Sequence, residues 1–575
     1  MAKFLIGVLT GILLAGLLAV TLVFALIRAS SERRPEVSSG STLMLRLEGE
    51  IPERPPVEFP IPFLERQNPP TVADVRDLLR KAAADARIEA VVFEPQGLRV
   101  GWGKLQELRS ALAGFRKSGK PLVAYLKSPG LREYYLATAA GRISMAPEDL
   151  LDLKGLRIET MYFHNTLQKI GVQVEIEHAG KYKDFGDMFT RTSMSPETRE
   201  VLNSVLDELY LDLLERVAEG RGKPLEQVRQ IIDRGPFLSR EALSNGLVDA
   251  LQFEDEMFAE LKKRLKSREI KRLSHREYGR VPAASLGLEG KQRIAFVVGE
   301  GGISRGEDGD ESMGEGGIGS DAFNRLLRRV GDDKSIKGVV VRIDSPGGEV
   351  YASDEIWREM NLLSKKKPLV ISMSDAAASG GYYIAMTGDP IVAYPGTLTG
   401  SIGVVFGKAT LRGLYDKIGI TKDLLTRGRF ADIDSDYLPL SDAARAKLKE
   451  GIEASYRDFV AKVARARHQK PEQIEPLAQG RVWLGSQAKR NGLVDELGGI
   501  DRAIELVKQK ARIPARENIT LVTYPPRRTI FDVLFGRPPE GVLESRVLAT
   551  LRSWQARLWL KGGLMRLMPY AIEVY

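Results

Sequence analysis

The chain repeats itself, and this repeat limits its possible folds more than any other feature. Four short motifs recur about 247 residues further along the chain. They are Lys120-Pro-Leu-Val123 and Lys367-Pro-Leu-Val370, Tyr134-Tyr135 and Tyr382-Tyr383, Ile170-Gly171 and Ile418-Gly419, and Asn245-Gly-Leu-Val-Asp249 and Asn491-Gly-Leu-Val-Asp495. We therefore predict two homologous domains, at residues 43–253 and 291–512, with a linker at 254–290.

Within the second copy, short apolar runs alternate with helical patterns. The predicted strands are Arg293–Val298, Gly338–Ile343 and Leu369–Met373. The predicted helices begin after an N-cap at Ser320, span Ala352–Leu363, and start again at Gly381. This alternation predicts an α/β fold in which helices pack on a parallel sheet.

The N-terminal segment predicts a membrane anchor. Residues 4–27 are apolar and uncharged, and as a helix they are long enough to cross roughly 30 Å of hydrocarbon. No clear small-x-small cleavage site follows, so we expect a retained anchor rather than a signal peptide. Residues 1–3 would form a stub and residues 28–42 a stalk. The basic residues on both sides leave the orientation undecided.

Two further segments allow alternative interpretations. Gly301–Gly319 is rich in glycine and acidic residues, which predicts a mobile loop, either plain or acting as a lid. Residues 513–575 form a C-terminal extension. Within it, Val547–Met568 could be an amphipathic helix that lies on a membrane or binds a partner. It could equally pack against the second domain.

Charge and cysteine content exclude several classes of function. The net charge of +9 is spread along the chain, with basic and acidic residues interleaved, whereas a nucleic-acid-binding protein concentrates its positive charge. We therefore expect no nucleic-acid partner. The chain has no cysteine, which excludes disulfides, a cysteine nucleophile and thiolate metal ligands.

The first candidate motif, Asp344-Ser-Pro-Gly-Gly348, directly follows a predicted buried strand. Two adjacent glycines let the backbone turn sharply and present N–H groups to a ligand. Such groups could form half of an oxyanion hole. The alternative is an ordinary tight turn, because Pro-Gly is a common turn pair.

The second candidate motif, Ala376-Ala-Ala-Ser-Gly-Gly-Tyr382, follows the next strand. Small residues surround Ser379, and a helix is predicted to begin after it. This arrangement exposes a hydroxyl for nucleophilic attack, and the Gly380 N–H could join Gly348 in binding an oxyanion. The alternative is a serine that caps a helix. Ala377 replaces the first glycine of the G-x-S-x-G elbow, so that motif is absent.

A nucleophilic serine needs a base, and histidine is poorly supported here. None of the four histidines lies in a glycine-rich strand-end loop; they are His164, His178, His275 and His468. A buried lysine could serve instead. In the register of the repeat, Lys183 stands opposite Ala431, while Leu131 stands opposite Ser379. Each copy would then contribute one half of a site. The alternative is independent drift, with Lys183 a surface residue.

Several motifs together resemble the signal peptide peptidase A family, also called protease IV, in its long double-domain form (peptidase family S49). The resemblance covers residues 43–512. It rests on Val341-Arg-Ile-Asp-Ser-Pro-Gly-Gly348, Ala377-Ala-Ser-Gly-Gly-Tyr382, Leu398-Thr-Gly-Ser-Ile-Gly-Val404, Gly180-Lys-Tyr-Lys183 with Met194-Ser-Pro196, and the ending Gly492-Leu-Val-Asp-Glu-Leu-Gly-Gly499.

The resemblance implies two tandem α/β domains similar to Clp protease and crotonase. It implies that Ser379 is the nucleophile, Lys183 the general base, and Gly348 and Gly380 the oxyanion donors. Ser401 matches a serine that hydrogen-bonds the base. The family cleaves signal-peptide remnants and other peptides at the outer, periplasmic face of the bacterial inner membrane. It forms homo-oligomers, typically tetramers in the long form, and requires no cofactor or metal.

Three other functions remain open at this stage. A crotonase-type acyl-CoA enzyme would use the same fold and oxyanion N–H groups, but it would bind CoA. A catalytically inactive membrane scaffold would not react with an active-site serine probe. A serine hydrolase with a histidine base lacks a motif. Lys181 also lies close to Lys183 in sequence and is a second candidate for the base.

Overall fold

The computed structural model describes residues 37–55, 69–306, 317–526 and 563–568, together with five isolated helical positions in the first sixteen residues. The predicted anchor at 4–27 therefore lies almost entirely outside the described residues, and so do most of the stub and stalk. In the ranges that are described, no helix combines the length and the apolarity that crossing a membrane requires.

The described chain contains 22 strands, labelled β1 to β22 in chain order. Strands β1 to β9 are Ser41–Glu48, Ile88–Gln96, Leu122–Leu126, Arg142–Met145, Leu150–Leu151, Gln173–Ala179, Phe237–Leu238, Ala250–Leu251 and Lys271–Ser274. Strands β10 to β22 are Gln292–Glu300, Ile303–Ser304, Ile318–Gly319, Ile336–Ser345, Gly347–Glu349, Leu369–Ala378, Ile391–Ala393, Leu398–Gly400, Val404–Thr410, Val482–Leu484, Glu496–Leu497, Ile519–Tyr524 and Gly563–Leu567.

Helices separate most of these strands. Those before residue 290 are Val72–Ala84, Trp102–Arg116, Leu131–Ala137, His164–Ile170, Asp187–Thr190, Pro196–Arg221, Leu225–Ile232, Ser239–Ser244, Glu254–Arg264, His275–Gly279 and the 3-10 turn Ala283–Leu286. Those after it are Ser320–Asp332, Val350–Lys366, Gly380–Ile384, Arg412–Ile418, Asp442–Ala466, Pro471–Ile474, the 3-10 turn Glu475–Leu477, Gly485–Arg490 and Ile500–Lys510.

Two large sheets correspond to the two copies of the repeat. The first has the order β8-β4-β3-β2-β1-β9, and all its pairs are parallel. The second has the order β19-β17-β15-β13-β10-β21 and is parallel except between β17 and β19, while β16 and β20 branch from β15. Both confirm the predicted α/β fold.

The same contacts recur in both units, which supports the repeat at the level of side chains. The Tyr134 hydroxyl donates to the Leu247 carbonyl at 2.8 Å, and the Tyr382 hydroxyl donates to the Leu493 carbonyl at 2.8 Å. Arg221 pairs with Asp249 at 2.6 Å, and Arg467 pairs with Asp495 at 2.5 Å. The recurring Tyr-Tyr and Asn-Gly-Leu-Val-Asp motifs therefore form the same contacts in both units.

A third sheet joins the two units. Its order is β12-β11-β14-β22-β18-β6, so β6 of the first unit pairs with β18 of the second. This pairing is antiparallel and continuous from Ala179–Val404 to Gln173–Thr410. A separate antiparallel pair, β5 with β7, completes the described sheets. The β6–β18 pair fixes the first unit beside the strand ends of the second.

A buried ion cluster also joins the units. Arg342 of the second unit is fully buried, and its guanidinium lies 2.7 Å from a Glu53 oxygen and 2.5 Å from a Glu107 oxygen of the first. Burial opposes ionisation of Arg342, but the two carboxylates raise its pKa above the ordinary value. Breaking a buried pair by removing one partner is strongly destabilising, so this cluster holds the units in one arrangement.

The predicted elements of the second copy are present, with one local correction. The predicted N-cap Ser320 is instead the first residue of the helix Ser320–Asp332, and Gly319 is the cap. The Ser320 hydroxyl donates to a Glu355 carboxylate oxygen at 2.8 Å, so it stabilises a contact between helices.

The connecting segments differ more from the predictions. The predicted linker 254–290 carries a helix and then β9, which pairs with β1 at the edge of the first sheet. The predicted loop 301–319 begins and ends in β11 and β12, while 307–316 lies outside the described residues. Of Val547–Met568, which the sequence leaves open as an amphipathic helix or as a segment packed on the second domain, only 563–568 is described. It contains the strand β22, which pairs with β14 and β18 of the second unit.

Candidate active site

Three neighbouring strands of the second sheet end at the same edge, and each is followed by a predicted site residue. Strands β17, β15 and β13 are adjacent and parallel. Ser401 follows β17, Ser379 follows β15, and Gly347 and Gly348 follow β13 after one intervening proline. Residues that follow parallel neighbours meet at the carboxyl edge of the sheet, which is where ligands bind in open α/β sheets.

Ser379 has a strained backbone. Its φ of 54° and ψ of −112° lie outside the regions that residues with a side chain ordinarily occupy. Its N–H donates to the Gly400 carbonyl at 2.8 Å, and its carbonyl accepts from the Tyr383 N–H at 2.8 Å, so both neighbours hold the strained turn. Such strain concentrates at functional sites. Here it places the serine at the start of the helix Gly380–Ile384.

Gly348 and Gly380 bring two backbone N–H groups together. An ideal Cβ built on Gly380 would lie 3.0 Å from the Gly348 nitrogen, so the two residues are in direct contact. A Cβ on Gly348 would lie 2.0 Å from the Ile303 carbonyl oxygen, which only glycine avoids. Gly380 is the first residue of its helix, so its N–H has no partner within the helix. The pair can therefore donate to an anionic oxygen beside Ser379.

The pairing of β6 with β18 places Lys183 at the carboxyl edge of the second sheet. Strand β18 begins three residues after Ser401, and β6 ends four residues before Lys183. Two glycines leave room for the lysine: a Cβ on Gly480 would lie 2.6 Å from the Lys183 Cβ, and one on Gly403 would lie 3.0 Å from its Cδ. A larger side chain at either position would push the lysine away from Ser379.

The Lys183 amine has three hydrogen-bond partners at this edge. Its Nζ lies 2.8 Å from the Ser379 Oγ, 2.8 Å from the Ser401 Oγ and 3.0 Å from the Ser401 carbonyl oxygen. A neutral amine has two hydrogens and one lone pair. If both hydrogens go to the Ser401 oxygens, the lone pair faces the Ser379 hydroxyl and can accept its proton.

Burial favours the neutral form of the Lys183 amine. Lys183 is fully buried, and this burial lowers its pKa well below the ordinary value, opposed by Asp184 and assisted by the positive charge of Arg566. Asp184 is itself affected, because burial raises its pKa to about 7. A lysine with a lowered pKa beside a serine hydroxyl is the arrangement that a general base requires.

The structure brings together all five predicted site residues: Lys183, Gly348, Ser379, Gly380 and Ser401. Lys181, the alternative base, is exposed, and its ammonium lies over the ring of Tyr182 at 4.5 Å.

Sequence reasoning missed three residues that contact this site: Gly403 and Gly480, which leave room for the lysine, and Arg566 in β22. Nothing in the sequence relates these two glycines to Lys183. The Leu-Met-Arg-Leu-Met run of β22 matches a helical pattern as well as a strand.

Comparison with known proteins identifies the family of this chain. The profile of peptidase family S49 matches residues 114–268 and 361–514, one segment in each unit. The serine protease SPPA of Arabidopsis thaliana chloroplasts is 36% identical over 506 residues, which cover 87% of this chain and 74% of that protein. Protease 4 of Salmonella typhi is 32% identical over 502 residues, covering 83% of this chain and 79% of the relative.

A further Protease 4, from Haemophilus influenzae, is 31% identical over 455 residues and covers 76% of this chain and 72% of its own. The matches thus extend over both units and the segment between them. The chain therefore belongs to peptidase family S49 and is a serine-type peptidase.

Proposed function

We propose that this chain is a membrane-anchored serine endopeptidase in which Ser379 is the nucleophile and Lys183 the general base. The observation that carries the proposal is the 2.8 Å contact between a fully buried lysine amine and a serine hydroxyl. No described contact between Ser379 and a histidine competes with it. The units would be two Clp- and crotonase-like domains that share one catalytic centre.

The reaction begins with proton transfer. Neutral Lys183 takes the proton from the Ser379 hydroxyl, and the serine oxygen attacks the carbonyl carbon of a peptide bond. The carbonyl oxygen becomes an oxyanion, which accepts hydrogen bonds from the Gly348 and Gly380 N–H groups. The Lys183 ammonium then protonates the leaving amine, and the C–N bond breaks.

The second half-reaction regenerates the enzyme. Lys183, neutral again, takes a proton from a water molecule that attacks the acyl-enzyme ester. The same two glycine N–H groups stabilise the second oxyanion. Collapse of this intermediate breaks the bond to the serine oxygen and releases the carboxylic acid, which ionises in solvent, while the Lys183 ammonium returns the proton taken from water to Ser379. Throughout, the Ser401 oxygens hold the amine in one orientation.

The test measures cleavage of a long apolar peptide by the full chain in detergent. Ser379→Ala and Lys183→Ala should each lower kcat by at least about 1000-fold, since members of a catalytic pair act as a unit. Lys181→Ala is the matched control, because it removes an exposed ammonium two residues from the proposed base, and it should retain activity. Full activity in either dyad variant would refute the proposal.

The substrate and location are also part of the proposal. The apolar run at 4–27 would anchor the chain in the bacterial inner membrane by a single span, with the catalytic units on the periplasmic side, where cleaved signal peptides and other peptides are degraded. Resistance of the chain to carbonate extraction, together with digestion by protease added to spheroplasts, would support this topology. Digestion only after lysis would overturn it.

The oligomeric state completes the proposal. We expect a homotetramer, as in the long form of the family. Light scattering in detergent should give four times the 63.6 kDa chain mass after subtraction of the detergent. A stable monomer with full activity would exclude a need for assembly.

A further inference from the structure

The strand β22 lies inside the third sheet, between β14, which contains the oxyanion candidate Gly348, and β18, which pairs with the strand β6 that leads to Lys183. It pairs antiparallel with β14, where Arg566 stands opposite Gly348, and antiparallel with β18, where Met565 stands opposite Val405. Proteins often bind an extended peptide by adding it as a strand in this way. Residues 563–568 therefore occupy the kind of groove that a peptide substrate needs.

The backbone of this segment also reaches the reactive centre. A Cβ on Gly347 would lie 2.0 Å from the Arg566 carbonyl oxygen and 2.6 Å from the Gly380 nitrogen. The Arg566 carbonyl thus lies next to a proposed oxyanion donor. The Met568 N–H donates to the Pro346 carbonyl at 2.8 Å, which continues the pairing past this point. Ser379 is fully buried, and Met568 of this segment packs in one apolar cluster with Ala378, the residue before the serine.

The side chain of Arg566 enters a defined pocket and is almost fully buried. Its guanidinium carbon lies 3.6 Å from the centre of the Tyr383 ring and 5.2 Å from that of Phe459. One guanidinium nitrogen is 3.8 Å from an Asp458 oxygen, and another donates to the Val350 carbonyl at 3.4 Å. An aromatic face with a carboxylate beside it suits a planar cation.

The charges around the pocket balance only when a cation is bound. Asp354 and Asp458 each contribute −1, and Lys462, whose Nζ lies 2.7 Å from an oxygen of each, contributes +1. The three groups leave a net charge of −1, which the +1 of Arg566 neutralises. An empty pocket would therefore attract one positive side chain and repel a carboxylate.

The first unit has a corresponding ring that is already covered by its own arginine. The Tyr135 hydroxyl donates to Asp212 at 2.7 Å, as the Tyr383 hydroxyl does to Asp458 at 2.9 Å. Arg109, from a helix of the same unit, lies over the Tyr135 ring at 5.8 Å. Over the Tyr383 ring, by contrast, a guanidinium is supplied by the distant segment 563–568.

From these contacts we propose that Tyr383, Asp354 and Asp458 form an arginine-selective subsite for peptide substrates, and that residues 563–568 occupy it as a substrate would. This rests on the proposed function, because the groove leads to Ser379. It adds a substrate class: extended peptides in which an arginine stands between apolar residues, positioned so that its carbonyl reaches the oxyanion donors.

Binding to an inactive chain tests the subsite separately from catalysis. The probe is a fluorescein-labelled peptide with the sequence Gly-Leu-Met-Arg-Leu-Met, and two further probes carry leucine or glutamate in place of the arginine. Fluorescence anisotropy gives Kd for each on the full chain with Ser379→Ala and Arg566→Ala, so that the internal segment competes less. The arginine probe should bind at least about tenfold more tightly than the leucine probe, and the glutamate probe most weakly.

Matched substitutions identify the source of selectivity. Asp458→Asn in the same background should reduce the preference for arginine over leucine to about twofold or less, because it removes the negative charge of the pocket. Asp212→Asn, the corresponding change in the first unit, should leave the preference intact. Equal affinity for the arginine and leucine probes, no binding of any probe, or a preference unchanged by Asp458→Asn would each overturn the subsite.

These outcomes are distinct from failure of the proposed function. A fluorophosphonate probe that labels Ser379 neither in the unmodified chain nor in the Arg566→Ala chain would count against the dyad, whatever the peptides do. Conversely, selective binding of the arginine probe would stand even if the dyad variants kept their activity.

Discussion

The hydroxyl of Ser401 should control which part of the Lys183 amine faces the nucleophile. In the structure, the amine contacts the Ser401 hydroxyl and carbonyl, at 2.8 and 3.0 Å, and Ser379 at 2.8 Å. Ser401→Ala removes one of the two acceptors that take the amine hydrogens. The freed N–H can then point at Ser379, so that a hydrogen replaces the lone pair for part of the time.

The size of the effect follows from one lost hydrogen bond at a buried site. Such a loss costs about 1 to 2 kcal/mol, which corresponds to a decrease of about 5- to 30-fold in kcat/KM. The carbonyl of residue 401 still accepts one hydrogen, so the decrease should be smaller than in Lys183→Ala. The peptide assay on the full chain measures it directly.

The pH profile gives a second readout, which a merely structural effect would not move. Lys183 must be neutral to act, so kcat/KM should rise as pH rises through its lowered pKa. Hydrogen-bond acceptors favour the ammonium over the amine. Removing the Ser401 hydroxyl should therefore lower the pKa of Lys183 further and move the acidic limb to lower pH.

A buried serine in the first unit serves as the control. Ser144 is fully buried, its hydroxyl donates to Gln252 at 3.1 Å, and Ser144→Ala should leave both kcat/KM and the acidic limb unchanged. The reasoning is refuted if Ser401→Ala keeps the full plateau value, or if its acidic limb moves to higher pH.

Three further predictions concern the oxyanion donors, the ion cluster and the neighbouring carboxyl. Gly348→Ala would place a Cβ 2.0 Å from the Ile303 carbonyl oxygen, so the backbone N–H of residue 348 must move. The value of kcat should then fall by about 100-fold, while the circular dichroism spectrum stays unchanged. Arg342→Met leaves Glu53 and Glu107 buried without their cation, and should lower the free energy of urea unfolding by about 3 to 5 kcal/mol, with partial recovery on adding Glu107→Gln. The pKa of Asp184 is about 7 in the folded state, which is above its unfolded value. The contribution of this group to the free energy of unfolding is therefore complete below the unfolded pKa. It is lost as pH rises through about 7, because the carboxyl then ionises while it is buried. Asp184→Asn should thus raise the melting temperature at alkaline pH and change it little at acidic pH; equal changes at both would contradict this.

Much of the site could be predicted because its residues follow strands that the sequence marks clearly. The valine-rich run of β13 and the small residues at the end of β15 identify both strand-end loops. The repeat marks Lys183 as a candidate, because the second copy has alanine at the matching position. The choice of Lys183 over a surface role and over Lys181 also depended on the family resemblance. Ser401 depended on the family resemblance, since Thr-Gly-Ser-Ile alone carries no chemistry.

The missing parts depend on contacts between distant segments. Gly480 has a φ of 78°, which explains a glycine there, but nothing in the sequence relates it to Lys183, nearly 300 residues earlier. The sequence leaves open whether the residues of β22 belong to an amphipathic helix or pack against the second unit, because their apolar side chains and single arginine fit either period. Only its pairing with β14 and β18, a tertiary effect, makes it a strand.

The division of the site between the two units bears on when the enzyme becomes active. Lys183 and Ser379 are 196 residues apart in the chain. At ordinary rates of synthesis, about 5 to 20 residues per second, the ribosome adds the serine roughly 10 to 40 s after the lysine. A nascent or prematurely terminated chain that ends before the second unit would carry the base without a nucleophile. Under the proposed mechanism, incomplete chains cannot cleave peptides, and proteolysis starts only when synthesis has passed both halves.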